Sequence, residues 1–500
     1  MGKKKLVSPQ KEFILALLFA IITIVGILGL TGTVFSGWHF VDDHETVRIA
    51  KEHLLNGATI RDHIKQFLIS DFSLRWRPLY WLIRILMAHL LGMNCAVYNI
   101  LLAIMGVATY LSLYYLSRYL GTDIIYSHIF SLLVLQGRQF EVWFRISNQE
   151  NLGLFLIAVS IMLIIAQRKD SRYNALKYNL IIGASVFLAA FIKESFLILI
   201  PGIILFRFGL EYLNREGKNM WQILCQHLGM YLLTGAAFLF SLYMILNHVG
   251  TSMSYVGIDE GTSIQKLLHD IWEMRNGALQ IYIYLAVICL IILIVACTKN
   301  YKKVEWSIWI PVVLFGTYIM AVEVILYAKS DMWDRYMLPF IVGFSLVIIC
   351  FGNTVIRNSV LKILYAIIVC VFLANRMYMS VVGASDYAGE GKNIQKMMAY
   401  IEDSTSRDSI IITAFGESEK DMAADIYFHY ADRNNVYQYK SEERWEYVEY
   451  EGAEINILEA CTAFVVDEER NELLYAQYFN DDRWTKKQFG NWFYAYIRKD

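Results

Sequence analysis

The chain has 500 residues, of which 57% are hydrophobic and only 18% charged, a balance that excludes an ordinary soluble enzyme and reads as a polytopic membrane protein. Its 45 basic and 46 acidic residues leave a formal net charge of -1, so there is no global field to hold a polyanion and nucleic acid is not expected as a partner. Six cysteines (Cys95, Cys225, Cys289, Cys297, Cys350 and Cys370) lie in apolar stretches and Cys461 stands alone in the polar tail, so the spacing shows neither a disulfide framework nor a CxxC metal site.

A basic start at Lys3, Lys4 and Lys5 precedes an apolar run from about Phe13 to Phe35, too long for a signal peptide and suited to a spanning helix. Further runs recur around 79–92, 95–117, 124–138, 150–167, 178–192, 196–210, 224–247, 277–297, 306–328, 336–352 and 360–380, which predicts about 11 to 12 transmembrane helices. Basic residues gather at the N-terminus, in Arg168-Lys169 with Arg172 and Lys177, in Arg215 with Lys218, in Lys299 with Lys302-Lys303, and in Arg357 with Lys362, which marks the cytoplasmic ends. That orientation places outside the loop from about Ser36 to Arg77, the loops 138–149 and 248–276, the link 329–335 and everything after about 380. It is self-consistent if the 79–92 segment, which carries Arg84 and His89, does not cross fully.

From about Ser385 the pattern turns charged and aromatic, with acidic residues outnumbering basic ones by roughly two to one. Helices are expected at Asp386 to Asp403, Lys420 to Tyr430 and Glu468 to Phe479, and strands at Ser409 to Ala414, Asn435 to Tyr439, Thr462 to Val466 and Trp492 to Arg498. The expected partition is a membrane body over 1–384 and a soluble extracytoplasmic α/β domain over 385–500.

Immediately after the first apolar run, Asp42-Asp43-His44-Glu45 gathers three carboxylates and an imidazole in four positions. Such a group is either an interfacial cap or a catalytic one, in which a carboxylate takes the proton of an acceptor hydroxyl as it attacks an activated sugar. Val47 to Leu55 follows as a short amphipathic helix of the kind that lies in the membrane interface. Then Ser73-Leu74-Arg75-Trp76-Arg77-Pro78-Leu79-Tyr80-Trp81 sets two arginines where the chain re-enters the apolar region. They either snorkel or clamp the phosphate of a lipid-linked donor, since the guanidinium fork matches two phosphate oxygens.

These residues carry a resemblance. The Asp42-Asp43-His44-Glu45 group, followed by Arg48 to Leu54, is similar to the acidic pair and amphipathic helix in the first external loop of the GT-C superfamily of integral-membrane glycosyltransferases, which includes protein O-mannosyltransferases and aminoarabinose transferases. Arg77-Pro78-Leu79-Tyr80 resembles the start of the family's second membrane helix. Ala189 to Ser195 with Pro201 resembles its Lys-Glu turn, and Asp334-Arg335-Tyr336-Met337-Leu338-Pro339 a late Arg-Tyr…Pro element. The resemblance implies a polyprenyl-phosphate sugar donor, transfer on the outer face, and an aspartate base. Asp42 matches the first acid and Asp43 the second; Arg75, Arg77, Lys193 and Arg335 are the expected donor-binding cations. The chain departs from the family at Arg75-Trp76, where many relatives have Glu-Lys, and it lacks tetratricopeptide repeats. The acceptor is left open between glycan, lipid and protein.

Other readings stand beside these. Lys193 and Glu194 could neutralise each other, Arg335 could pair with Asp334 and Asp331, and Gly137 to Arg145 could be an acceptor platform or an interfacial aromatic belt. No HExxH spacing is present, so a zinc site is not expected, while Asp42 and Asp43 could hold Mg²⁺ or Mn²⁺ through a donor phosphate. A polysaccharide polymerase or ligase, or a lipid-linked sugar transporter, is the alternative function. A transporter should show ionisable residues at helix midpoints.

Overall fold

The computed structural model describes residues 8–169, 176–215, 217, 219–249, 263–277, 279–328, 334–415, 418–433, 435–439, 447–450, 453–456, 460–467 and 475–499. Among them, nine helices are long and apolar enough to cross a membrane: Pro9–Thr31, Cys95–Tyr119, Glu150–Arg168, Glu194–Leu213, Leu228–Val249, Gln280–Lys303, Trp306–Leu326, Arg335–Val355 and Ser359–Ser404. Three shorter apolar helices, Pro78–Leu91, Ile124–Leu135 and Leu176–Ala190, occupy the remaining apolar runs. Pro78–Leu91 has 14 residues. At about 1.5 Å per residue it falls short of a hydrocarbon core of about 30 Å.

The expected 360–380 span and the expected Asp386–Asp403 helix are one continuous 46-residue helix, Ser359–Ser404. No proline follows Pro339, so nothing in this stretch removes a helix N–H; Gly383, Gly389 and Gly391 lower propensity without breaking the ladder.

The chain forms two compact units. The first comprises Met1–Leu28, Ile64–Ile83 and Leu101–Gly383; the second gathers Gly29–His63, Arg84–Ile100 and Ala384–Asp500. The second thus takes in the loop with Asp42 and Asp43 as well as the tail.

In the first unit, helix contacts rest on small residues. Trp306–Leu326 crosses Leu338–Ser345 where Gly316 faces Gly343, and a Cβ on Gly316 would lie 2.9 Å from the Gly343 carbonyl oxygen. Backbones approach this closely only without side chains. Phe206 stacks on Phe315 with ring centroids 4.7 Å apart, which ties Leu199–Leu213 to the same Trp306–Leu326 helix.

In the second unit, a five-stranded sheet has the order β2-β1-β5-β7-β6, with β1 Ile411–Ala414, β2 Val436–Gln438, β5 Ala463–Asp467, β6 Trp484–Phe489 and β7 Phe493–Arg498. A separate two-stranded hairpin pairs β3 Tyr447–Tyr450 with β4 Ala453–Asn456. β1 runs parallel to β2 and β5, while β7 is antiparallel to β5 and β6. Ile411, Ala463, Val465, Ala495 and Ile497 face one cluster with Phe40, Ile394, Met397, Ile401 and Phe428. Their neighbours Ile412, Phe464, Val466, Tyr494 and Tyr496 face another with Tyr437, Phe479 and Trp484. The period of two sorts each strand between two cores, and β1 and β5 are therefore buried throughout.

β6 is absent from the sequence-based expectation because only its ends, Trp484 and Phe489, are buried; its lysines mark a sheet edge. Residues 468–474 of the expected Glu468–Phe479 helix lie outside the described residues, and Ala476–Phe479 is a single 3-10 turn.

Replacing Gly343 by valine should force the two helices apart and lower stability by about 2 kcal/mol or more, an overpacking cost. Gly26→Ala, at a position with open space around it, should be neutral or slightly stabilising. Thermal unfolding of the detergent-solubilised chain compares the two. Equal midpoints would show that the Gly316–Gly343 approach carries no weight.

Candidate functional site

The candidate acids sit in the second unit on a loop that is pinned at every carbonyl from Gly37 to Asp42. The Gly37 carbonyl accepts from Cys95 Sγ at 3.1 Å, Trp38 from Gln395 Nε2 at 3.1 Å, His39 from Tyr427 Oη at 2.8 Å, and Phe40 from His44 Nδ1 at 3.0 Å. The Val41 carbonyl accepts from the Asp43 N–H at 2.8 Å, and the Asp42 carbonyl accepts from Arg84. The ring of Phe40 anchors the loop in the sheet core, with centroids 5.5 Å from Phe415, 5.5 Å from Tyr427 and 5.8 Å from Phe493.

The bond from Asp43 N–H to the Val41 carbonyl spans two residues, and the residue between them, Asp42, has φ 67° and ψ -36°. This is a γ-turn with positive φ, a rare and strained conformation for an L-residue. Asp42 stands just before the Asp43–Asn56 helix, but its side chain makes no cap hydrogen bond.

Asp43 differs. It is 1% exposed, and its Oδ2 accepts the His39 N–H at 3.2 Å. Burial pushes its carboxyl above the usual carboxylate range, against the pull of His39 and Arg84. His44 is also buried, and burial holds its imidazole below the usual range, while its Nδ1 lies 3.0 Å from the Phe40 carbonyl oxygen that it donates to. Arg84, 6% exposed, binds the start of the Asp43–Asn56 helix through Nε to Thr46 Oγ1 at 2.7 Å and Nη1 to Glu45 Oε2 at 2.7 Å. These bonds fix the turn. The nearby His39 ring lies flat on Tyr387 at 3.4 Å, with Glu390 3.6 Å from its Nδ1.

The four expected donor-binding cations all lie in the first unit. Lys193 and Glu194 do not neutralise each other. Lys193 pairs with Glu150, and its Nζ sits 3.7 Å over the Tyr336 ring; Glu194 accepts from Arg75 Nη2 at 3.3 Å and from the Trp76 N–H at 3.0 Å. Arg77 makes a two-pronged pair with Asp71, through Nε to Oδ2 at 2.8 Å and Nη2 to Oδ1 at 3.0 Å, and stacks over Tyr80 and Trp81. The guanidinium is thus held by a carboxylate within the protein. Arg335 donates to Asn148 Oδ1 at 3.1 Å and to the Tyr336 hydroxyl at 3.3 Å. The contacts of Asp331 and of the Asp334 side chain, the other expected partners of Arg335, lie outside the described residues. Glu150, Lys193 and Arg335 thus form one group around Tyr336, and Arg75, Arg77, Asp71 and Glu194 form another.

Two further findings alter the sequence-based view. Phe140, Trp143 and Phe144 are buried, so the rings of the 137–145 segment do not form an exposed aromatic platform, while Arg138 is exposed. Glu323 is fully buried within the Trp306–Leu326 helix, and among the described residues neither carboxyl oxygen has a hydrogen-bond partner. An ionisable residue inside an apolar run was the signal that could have found it. Arg84 carried the same signal, whereas Cys95, Gln395 and Tyr427 carried none. Among the described residues no group of three His, Cys, Asp or Glu side chains is arranged to hold a metal ion.

A scan against protein-family models and a search of curated protein sequences both find no match to this chain.

The Lys193–Glu150 pair supplies a test of the first unit. Both side chains are at most 5% exposed, so Glu150→Gln strands a buried cation and should cost about 3–5 kcal/mol. Adding Lys193→Met to Glu150→Gln should recover most of that loss. Thermal unfolding of the single and double variants checks this; a double variant no more stable than the single one would mean that the pair is not a coupled buried unit.

Proposed function

We propose that this protein is a multi-pass membrane glycosyltransferase of GT-C type, moving a sugar from a polyprenyl-phosphate donor to an acceptor hydroxyl on the outer face of the cell membrane. The observation that carries the reading is the γ-turn at Asp42. A strained aspartate, on a loop pinned at six successive carbonyls, is the kind of preorganisation that catalytic groups require. Asp42 is assigned as the general base, which accepts the acceptor's proton as its oxygen attacks the anomeric carbon. Asp43, buried and bonded to the His39 N–H, is assigned to hold the loop and not to exchange protons with substrate.

Arg75, Arg77, Lys193 and Arg335 are assigned to the donor phosphate, as the resemblance implies. Their present partners, Glu194 for Arg75, Asp71 for Arg77, Glu150 for Lys193, and Asn148 with Tyr336 for Arg335, orient them. The proposed topology has about 11 to 12 spans, with a cytoplasmic N-terminus and with the 36–77 loop and the C-terminal α/β domain outside, because the basic loops mark the inner face.

The test is transfer from a panel of polyprenyl-phosphate sugars by the full chain reconstituted in lipid vesicles. Asp42→Asn should lower transfer by about 10²- to 10⁴-fold with donor binding retained. Asp42→Gly should lose transfer equally while gaining roughly 1 kcal/mol of stability, because glycine relieves the positive φ. Near-normal transfer by Asp42→Asn would overturn the assignment. Donor movement across the bilayer without transfer would favour the transporter alternative, and elongation of a lipid-linked chain the polymerase.

A further inference from the structure

Within the first unit, the short helix Ile264–Met274 stands between two of the long apolar helices, Leu228–Val249 and Gln280–Lys303. Ser263 starts it, with its Oγ accepting the Lys266 N–H at 3.1 Å. Apolar residues recur at i, i+3, i+4, i+7 and i+8, so Ile264, Leu267, Leu268, Ile271, Trp272 and Met274 share one side, and Gln265, Lys266, His269, Asp270 and Glu273 share the other. Such a division requires the apolar side to be covered by something other than water.

Among the described residues, the protein covers only part of that side. Met274 is buried, Leu267 and Ile271 are partly buried, and the helix packs against Trp306–Leu326. The remainder is a strip with a step of one turn: Ile264, Leu268 and Trp272, which are 77%, 60% and 59% exposed.

The place of this strip in the chain indicates its occupant. The amides of Arg275, Asn276 and Gly277 bond carbonyls three residues back, at 3.4, 2.9 and 3.2 Å, and the Gln280 N–H bonds the Gly277 carbonyl at 3.2 Å. Each such turn keeps its ends within about 7 Å, which holds Met274 within about 14 Å of the start of Gln280–Lys303. The exposed apolar flank of that long helix begins at once, with Ile283, Tyr284, Val287 and Ile288. The strip is thus continuous with a surface suited to acyl chains, at the end of a span where a bilayer meets water. Arg275 fits the same depth. Its guanidinium lies 3.4 Å from the centroid of the Trp272 ring, which joins an apolar body to a cation whose hydrogens lipid phosphate oxygens accept. Lys266 and Arg275 balance Asp270 and Glu273, so no anionic lipid is required. A protein partner fits less well: three side chains offer on the order of 400 Å², about half of what each partner contributes to a stable interface.

We propose that Ile264–Met274 is a membrane-surface helix, with Ile264, Leu268 and Trp272 inserted among lipid acyl chains, Arg275 at the lipid phosphates, and Lys266, His269 and Glu273 in water. The proposal is independent of the transferase reading, because it involves no substrate and none of the residues assigned to transfer.

The test is electron paramagnetic resonance with collision reagents, on the full chain in nanodiscs of zwitterionic lipid. A nitroxide is attached through Leu268→Cys or, on the polar side, through Glu273→Cys, in a chain whose Cys225, Cys297 and Cys370, the cysteines that are not buried, are replaced by alanine. Both labelled positions are exposed, so the fold tolerates the label. Molecular oxygen concentrates among acyl chains and a water-soluble nickel chelate stays outside, so the ratio of oxygen to nickel collision rates should be about tenfold higher at 268 than at 273. Hydrogen–deuterium exchange in the same discs gives a second readout. Trp272→Glu should lower protection over 264–274 by about tenfold or more, because a charge replaces an inserted ring, whereas Gln265→Glu should leave it unchanged. Equal, water-like ratios at 268 and 273 would show the strip facing solvent, and exclusion of both reagents from 268 would show it covered by a second copy or another protein segment. Either result, or wild-type protection in Trp272→Glu, overturns the proposal.

Discussion

The arrangement of the candidate acids depends on one guanidinium. Arg84 divides its donors among the Asp42 carbonyl, Glu45 and Thr46, and so ties a γ-turn, a carboxylate and the first turn of a helix to a single planar group. An ammonium also has three donors, but it lacks the rigid planar fork that sets the three directions relative to one another. The strain of a positive φ at Asp42 persists only where the surroundings over-determine it. Here the surroundings are the Arg84 contacts on one side and the five further carbonyl bonds on the other.

The tail contributes to this loop from within its own unit. Gln395 and Tyr427 hold the Trp38 and His39 carbonyls, and Phe40 is packed among Phe415, Tyr427 and Phe493. The sheet core is therefore the base on which the Asp42 turn is built. Rigid support of this kind is what holds a reacting carboxylate within a fraction of an ångström of its working position.

In the first unit the governing constraint is the cost of burying charge. Lys193, Glu150 and Glu194 are each taken from water by the fold, and each finds a partner distant in sequence rather than its neighbour. Adjacent residues on an extended-to-helical turn point apart, so Lys193 and Glu194 cannot meet, while Glu150 and Arg75 are brought to them by helix packing. Breaking such a pair costs more than the pair contributes, because an uncompensated charge remains. The buried carboxyl of Glu323 stands outside this scheme of pairs.

The sequence by itself determined the twelve apolar segments, because a stretch of apolar residues at helical length has one low-energy arrangement whatever its neighbours are. It also determined the β1, β2, β5 and β7 strands, short runs rich in β-branched and aromatic residues whose strand preference is a local signal. The acidic group at Asp42 to Glu45 was legible as a cluster, since four polar residues at the end of an apolar run are a local signal. Only the tertiary structure decided that Asp42 is the strained member and Asp43 the buried one, that Arg84 serves the turn, and that Arg77 is held by Asp71. The Arg77–Asp71 pair is set by the local path of the chain, whereas the others depend on contacts between residues tens to hundreds of positions apart, as with Arg84 on Asp42, Tyr427 on His39 and Gln395 on Trp38. A hydrogen-bond donor that arrives from so far along the chain leaves no periodicity or spacing behind it, because its sequence neighbours are chosen by the helix or strand in which it sits.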